Sequence, residues 1–253
     1  MPHLPESLVE RLKTRQAVLV TGLGCAELAG LPNWTALCER MVDWIEDEPA
    51  KQAFLDLLSR GRLRSAAGLM RDLVAADALT EVLLDAYPAS QEVPESIRAV
   101  ARAPWRGIVT TGFDALWGTA LALEGEKPER IVGATGAAAL EPGRGRFLVQ
   151  LFGRTDGPDL LCLAPAELAP KVVATGAGEF VLGLHRKWSF VLVGFGSDSP
   201  DLAMLVGHLL GASSSTVDHY LLSSGMSDFD ARRVRAQFGL VLIAFDGSLE
   251  DAL

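Results

Sequence analysis

"AVLVTGLGCAELAGLPNW", residues 17–34, decides how this chain is read. Its first five residues form a short run rich in β-branched apolar side chains, and a glycine turn follows at once. A strand feeding a glycine turn is how α/β proteins present backbone N–H groups to a phosphate. The three-glycine dinucleotide fingerprint is incomplete, however: after Gly22 and Gly24 the next glycine is Gly30. By itself the loop fits a nucleotide site and a bare strand-to-helix turn equally well.

Outward from that loop, residues 35–103 change in texture. Apolar residues recur at three and four spacing, with Pro49 and Gly61 as breaks, which predicts three to five helices. No Ser/Gly/Pro-rich linker bounds them, so they are expected as a helical insertion subdomain after the first strand. The main α/β domain then comprises residues 1–34 and 104–253. Strand-like runs return in the second part: "GIVTT" (107–111), "RIVG" (130–133), "FLVQLF" (147–152), "SFVLVG" (189–194), "DHYLL" (218–222) and "LVLIAF" (240–245). Several are apolar throughout, as strands covered on both faces are. With helical segments between them, they predict a Rossmann-like, mostly parallel sheet with helices on both faces. Such sheets bind ligands at the carboxyl ends of their strands, where the Gly22–Gly24 turn falls.

Bulk properties narrow the function. The chain has 253 residues, 49% of them hydrophobic, enough for a substantial core. A net charge of −9 leaves no surplus of Lys and Arg to neutralise a phosphate backbone, which argues against nucleic-acid binding. Cys25, Cys38 and Cys162 form no CxxC pair, so neither a zinc ribbon nor a disulfide framework is expected. No apolar stretch approaches membrane-spanning length and the amino-terminal residues resemble an amphipathic helix, so a cytoplasmic protein without a membrane partner is expected.

Four ordered segments together resemble the sirtuin-like NAD-binding domains of bacterial defence and signalling proteins. Where that family has Gly-Ala-Gly-x-Ser-x-x-Ala-Gly-x-Pro-x-Trp, this chain runs from Gly22 through Gly24, Cys25, Ala26, Gly30 and Pro32 to Trp34. Thr-Thr-Asn-x-Asp is matched by Thr110-Thr111-Gly112-Phe113-Asp114, and Leu-His-Gly by Leu151-Phe152-Gly153. The fourth, Gly-Tyr-Ser-x-x-Asp-Pro, is similar to Gly194-Phe195-Gly196-Ser197-Asp198-Ser199-Pro200-Asp201 with one residue of slack. The closing "QFGLVLIAFD", ending at Asp246, is similar to the family's last strand beside the adenine. The resemblance implies a pocket for NAD or ADP-ribose lined by Gly22, Gly24, Cys25, Ala26, Pro32, Trp34, Thr111, Asp114, Gly194, Phe195, Gly196, Ser197, Asp198 and Asp246, with no metal.

It also implies a defect. The family's Asn, which positions ribose and water, is Gly112 here, and its base His is Phe152. Glycine has no side chain and phenylalanine cannot take a proton, so no intact catalytic residue is expected at either position. Among the histidines, His208 falls on an apolar helical stripe and is expected in the core, His219 inside the sheet, and His185 on a surface loop. Asp114 and Asp198 are expected as helix caps or ribose contacts. Leu23, Phe152 and Phe195 are able to fill the reactive half of the pocket.

Three readings follow. The first is a pseudoenzyme module that binds NAD, ADP-ribose or a partner protein. The second is an NAD glycohydrolase of the antiphage-defence type with rearranged residues, and deacetylation is the weakest enzymatic alternative. The third is an assembly module with a closed pocket, whose "AAAL" and "LLCLAP" stretches would serve a homo-oligomer or protein interface.

Overall fold

The computed structural model describes residues 3–132, 145–155, 157, 160–196, 199–212 and 215–253. Seven strands form one sheet: β1 (Ala17–Thr21), β2 (Gly107–Thr110), β3 (Glu129–Val132), β4 (Phe147–Gln150), β5 (Ser189–Val193), β6 (His219–Ser224) and β7 (Leu240–Phe245). Their order is β3-β4-β2-β1-β5-β6-β7, and all six pairings are parallel. The chain therefore builds one side of the sheet from β1 and later returns to β1 to build the other. That reversal is a topological switch point, and it lies between β1 and β5.

Every residue of β1, β2, β4 and β5 is buried, which is why these strands carry no polar alternation. Alternate side chains nonetheless enter different cores. Val18, Val20, Val109 and Val149 face one side, while Ala17, Leu19, Ile108 and Leu148 face the other.

Residues between β1 and β2 form six helices: the short α2 (Gly24–Glu27), then α3 (Trp34–Val42), α4 (Glu48–Ser59), α5 (Leu63–Leu73), α6 (Ala76–Ala86) and α7 (Glu95–Arg102). Asn33 caps α3 by accepting from the Ala36 N–H, and Asp47 caps α4 by accepting from the Ala50 N–H. Pro49 sits in the first turn of α4, and Gly61, at φ +66°, lets the chain leave that helix. The apolar faces of α3–α6 (Trp34, Leu37, Met41, Phe54, Met70, Leu83) join the Val18–Val109 face in a single core. On the opposite face lie α1 (Glu6–Lys13), α7 and α8 (Leu116–Leu123), contributing Leu8, Ile97 and Trp117.

After β4 come α9 (Pro165–Leu168), α10 (Gly176–His185), α11 (Pro200–Leu202), α12 (Asp228–Phe238) and α13 (Leu249–Ala252). Both α9 and α11 run on into π-helical turns, Ala169–Val173 and Ala203–Leu209. This alters the expected place of His208. In a π turn the side chains no longer keep the 3.6-residue period on which an apolar stripe depends, and His208 is exposed. The "LLCLAP" stretch is likewise not a free surface: Leu161, Cys162 and Leu163 are fully buried within the chain itself. "AAAL" lies outside the described residues. Among the described residues no helix is long and apolar enough to cross a membrane.

Candidate functional site

Where β1 and β5 end, two glycine turns pack directly on each other. The Gly22 N–H donates to the Val193 carbonyl at 2.9 Å and the Gly24 N–H to the Gly194 carbonyl at 3.0 Å. A Cβ on Gly22 would stand 2.5 Å from the Gly194 oxygen, and one on Gly24 would stand 2.8 Å from it. Gly194 has φ +75°, and a Cβ on it would stand 2.7 Å from the Cys25 nitrogen. The glycine spacing is thus set by backbone meeting backbone across the switch point. The amides of Gly22 and Gly24 are already paired with carbonyls.

Beside these turns a cleft of about 500 Å³ opens along the carboxyl ends of β1, β5, β6 and β7. This is within the range of small-molecule sites. Its floor is Leu23, Gly24, Gly194, Phe195 and Gly196. One wall comes from Asn33, Trp34 and Thr35, the other from Leu222, Ser223, Ser224, Phe245 and Leu249. Glu27, Leu63, Ser199, Pro200 and Asp201 complete it.

Of the residues singled out from the sequence, the cleft brings together Gly24, Trp34, Gly194, Phe195 and Gly196. Gly22, Cys25, Ala26 and Pro32 are buried without lining it. Cys25 is driven well above the usual thiol range by burial, reinforced by the Asp114 and Glu27 carboxylates, which suits a core filler and not a nucleophile. The Pro32 carbonyl accepts a hydrogen bond from the Tyr87 hydroxyl. Asp246 is exposed one residue beyond Phe245. Ser197 and Asp198 lie outside the described residues.

The β2–β4 side of the crevice is occupied by side chains. Thr111, Phe113 and Phe152 are at most 1% exposed. Phe113 meets the rings of Trp34 and Tyr87 edge-on at 5.6 and 6.2 Å. Gly112 leaves room for its neighbours: a Cβ there would lie 2.6 Å from Asp114 Oδ2 and 3.2 Å from Thr110 Oγ1. Asp114 accepts from the Leu116 N–H at 2.9 Å at the start of α8, and burial raises its carboxyl above the ordinary range.

At the centre stands a buried ion pair that the sequence reading missed. Arg64, from α5, places Nε and Nη2 each 2.8 Å from Asp201 Oδ1. Asp201 also accepts from Trp34 Nε1 at 2.8 Å and Thr111 Oγ1 at 2.9 Å. The Arg64 guanidinium is sandwiched between the rings of Trp34 and Phe152, 4.6 and 4.4 Å from their centroids. One weak signal existed: Asp201 ends the fourth motif. Nothing local marked Arg64.

No titratable imidazole stands among these groups. His219 opens β6 and His185 closes α10, at the amino-terminal edge of the sheet, opposite the cleft. Their rings stack at 4.0 Å and 12°, both buried. His219 is inside the sheet as expected, whereas His185 is helical and packed, not on a loop, because α10 runs on to His185 and turns this last residue inward. Among the described residues no cluster of three or more His, Cys, Asp or Glu side chains could hold a metal ion.

No family model matches the chain. In sequence it is 22% identical over 209 residues to the NAD(+) hydrolase ThsA of Cytobacillus dafuensis, covering 81% of this chain and 40% of that protein. The chain thus spans about two fifths of the length of that curated relative. Among solved structures, a Sir2 protein with a deacetylated p53 peptide and 3'-O-acetyl-ADP-ribose aligns at TM-score 0.48 and 10% identity, covering 97% of this chain and 94% of that one. A Sir2 homologue in complex with NAD aligns at TM-score 0.42 and 13% identity, covering 99% and 91%. The chain is thus similar, over most of its own length, to a bacterial protein named as an NAD(+) hydrolase.

Proposed function

We propose that this chain binds NAD or ADP-ribose in the cleft at the β1/β5 switch point and does not turn it over. The observation that carries the reading is the cleft itself, about 500 Å³ at the carboxyl ends of β1, β5, β6 and β7, where α/β sheets hold nucleotides. Its polar groups, the hydroxyls of Thr35, Ser199, Ser223 and Ser224 with the Asn33 amide, suit ribose hydroxyls and phosphate oxygens. Its apolar end, Phe245 and Leu249, suits a base. The lack of turnover rests on Gly112 and Phe152, which supply neither an amide nor a base. It rests as well on the two buried histidines, which face away from the cleft.

Calorimetric titration with NAD tests the binding. Saturable heat is expected, together with a raised melting temperature, since ligand at about 100 times Kd adds about 2.7 kcal/mol of stability. Gly196→Leu is the matched control, because Gly196 lines the cleft and a Cβ there meets nothing within 4 Å among the described residues, so the added side chain is expected to intrude on the cleft and leave the fold intact. No heat and an unchanged melting temperature at millimolar NAD would overturn the reading.

A second reading, NAD hydrolysis, is favoured by the likeness to the Cytobacillus protein. It predicts nicotinamide release above a protein-free blank, which the first reading does not.

A further inference from the structure

A dinucleotide lies across a switch-point crevice with one nucleotide on each side. In this chain the two sides are not equivalent. Over β5, β6 and β7 the crevice is open down to Ser223, Ser224 and Phe245. Over β2 and β4 it is filled, and the group that fills it comes from the inserted helices: Arg64, only 2% exposed, clasped by Trp34 and Phe152 and neutralised by Asp201.

This stopper is built to stay in place. Its carboxylate partner is 1% exposed and accepts two further hydrogen bonds, from Trp34 and Thr111. The guanidinium also donates to the carbonyls of Cys162 and Leu163 on the segment after β4. Withdrawing Arg64 would leave a buried carboxylate without its counter-charge, so a ligand entering that side must supply the lost interaction itself.

We infer that the Arg64–Asp201 pair makes this a one-sided site, taking a single nucleoside diphosphate over β5–β7 and leaving the second nucleotide of a dinucleotide without a place to bind. The inference rests on the cleft being a nucleotide site, and it deepens that reading by naming the half that is recognised.

The test is a titration series on the full chain with ADP, NAD and nicotinamide mononucleotide. ADP and NAD should bind within about threefold of each other, with the mononucleotide failing to compete for the site. NAD binding tighter than ADP by about tenfold or more would overturn the one-sided site while leaving nucleotide binding intact. Failure of both ADP and NAD to bind would instead remove the nucleotide reading and this inference with it. In the double variant Arg64→Ala/Asp201→Asn, which empties the filled side without stranding a charge, the preference for NAD over ADP should rise by about tenfold. An unchanged preference in a folded variant would show that Arg64 is not what closes that side. Should the variant not fold, the ligand series on the unaltered chain decides alone.

Discussion

His185 and His219 are stacked face to face in a place where neither can be charged cheaply. The His219 Nδ1 accepts from the Phe190 N–H at 3.0 Å, while His185 Nδ1 and His219 Nε2 are buried with no hydrogen-bond partner among the described residues. Burial, with Arg186 adding repulsion, lowers His185 to about 4, and burial with its neighbour lowers His219 to about 3. An unfolded histidine titrates near 6.5, so below that pH the unfolded chain binds protons that the folded chain refuses. The contribution of the neutral pair is therefore complete above about pH 6.5 and is lost as pH falls toward 4. Asp114 acts in the opposite sense, since its raised carboxyl pKa lets the folded chain take up a proton first. Comparing variants removes that background. Between pH 7 and 5, urea unfolding of the unaltered chain should lose about 1 kcal/mol more stability than His185→Phe, which keeps a ring against His219. Equal losses would mean that the pair is hydrated and titrates normally.

At the scale of elements, the strands were legible because their environment is uniform. β1 and β5 are buried on both faces, and an unbroken apolar run is the direct record of that. Helices α3–α7 were legible from periodicity and from two breakers, Pro49 and Gly61, which act through the local backbone alone. What escaped is what depends on distance along the chain. Arg64 sits in "RGRLRS", a stretch indistinguishable from a solvated helix start, and its partner Asp201 lies 137 residues away. The π turn that carries His208 to the surface was hidden for a related reason, since the same apolar spacing serves either helical register.

The coupling between α5 and α11 is measurable. Arg64→Ala alone should cost about 3–5 kcal/mol, because it leaves Asp201 buried and unpaired. Arg64→Ala/Asp201→Asn should cost less than the two single changes added together, by about 1–3 kcal/mol. It should not return to the starting stability, since the bonds to Cys162 and Leu163 are also lost. Chemical denaturation of the four proteins gives the cycle, and strictly additive losses would mean that the two side chains do not act as a pair.

For the molecule as a whole, the proposed lack of turnover has two possible origins: two missing side chains, or a filled side of the crevice. If only side chains are missing, Gly112→Asn with Phe152→His should restore nicotinamide release. The packing argues otherwise. An asparagine at 112 brings its Cβ to 2.6 Å from Asp114 Oδ2, and that carboxylate is already committed to the Leu116 N–H. An imidazole at 152 replaces a ring stacked on the Arg64 guanidinium, where a cation disfavours its protonation and removes the basicity the reaction needs. The side chain at 152 would also face Arg64 and not substrate, because the guanidinium lies between that ring and Trp34. The double variant should therefore be less stable than the parent by about 1–3 kcal/mol, the usual range for overpacking a filled core, and should release no nicotinamide above the blank. Release at a measurable rate would show that a nucleotide can displace Arg64 from its aromatic clasp. In that case the crevice is a gated site, and the same assay repeated with Arg64→Ala added should run faster still.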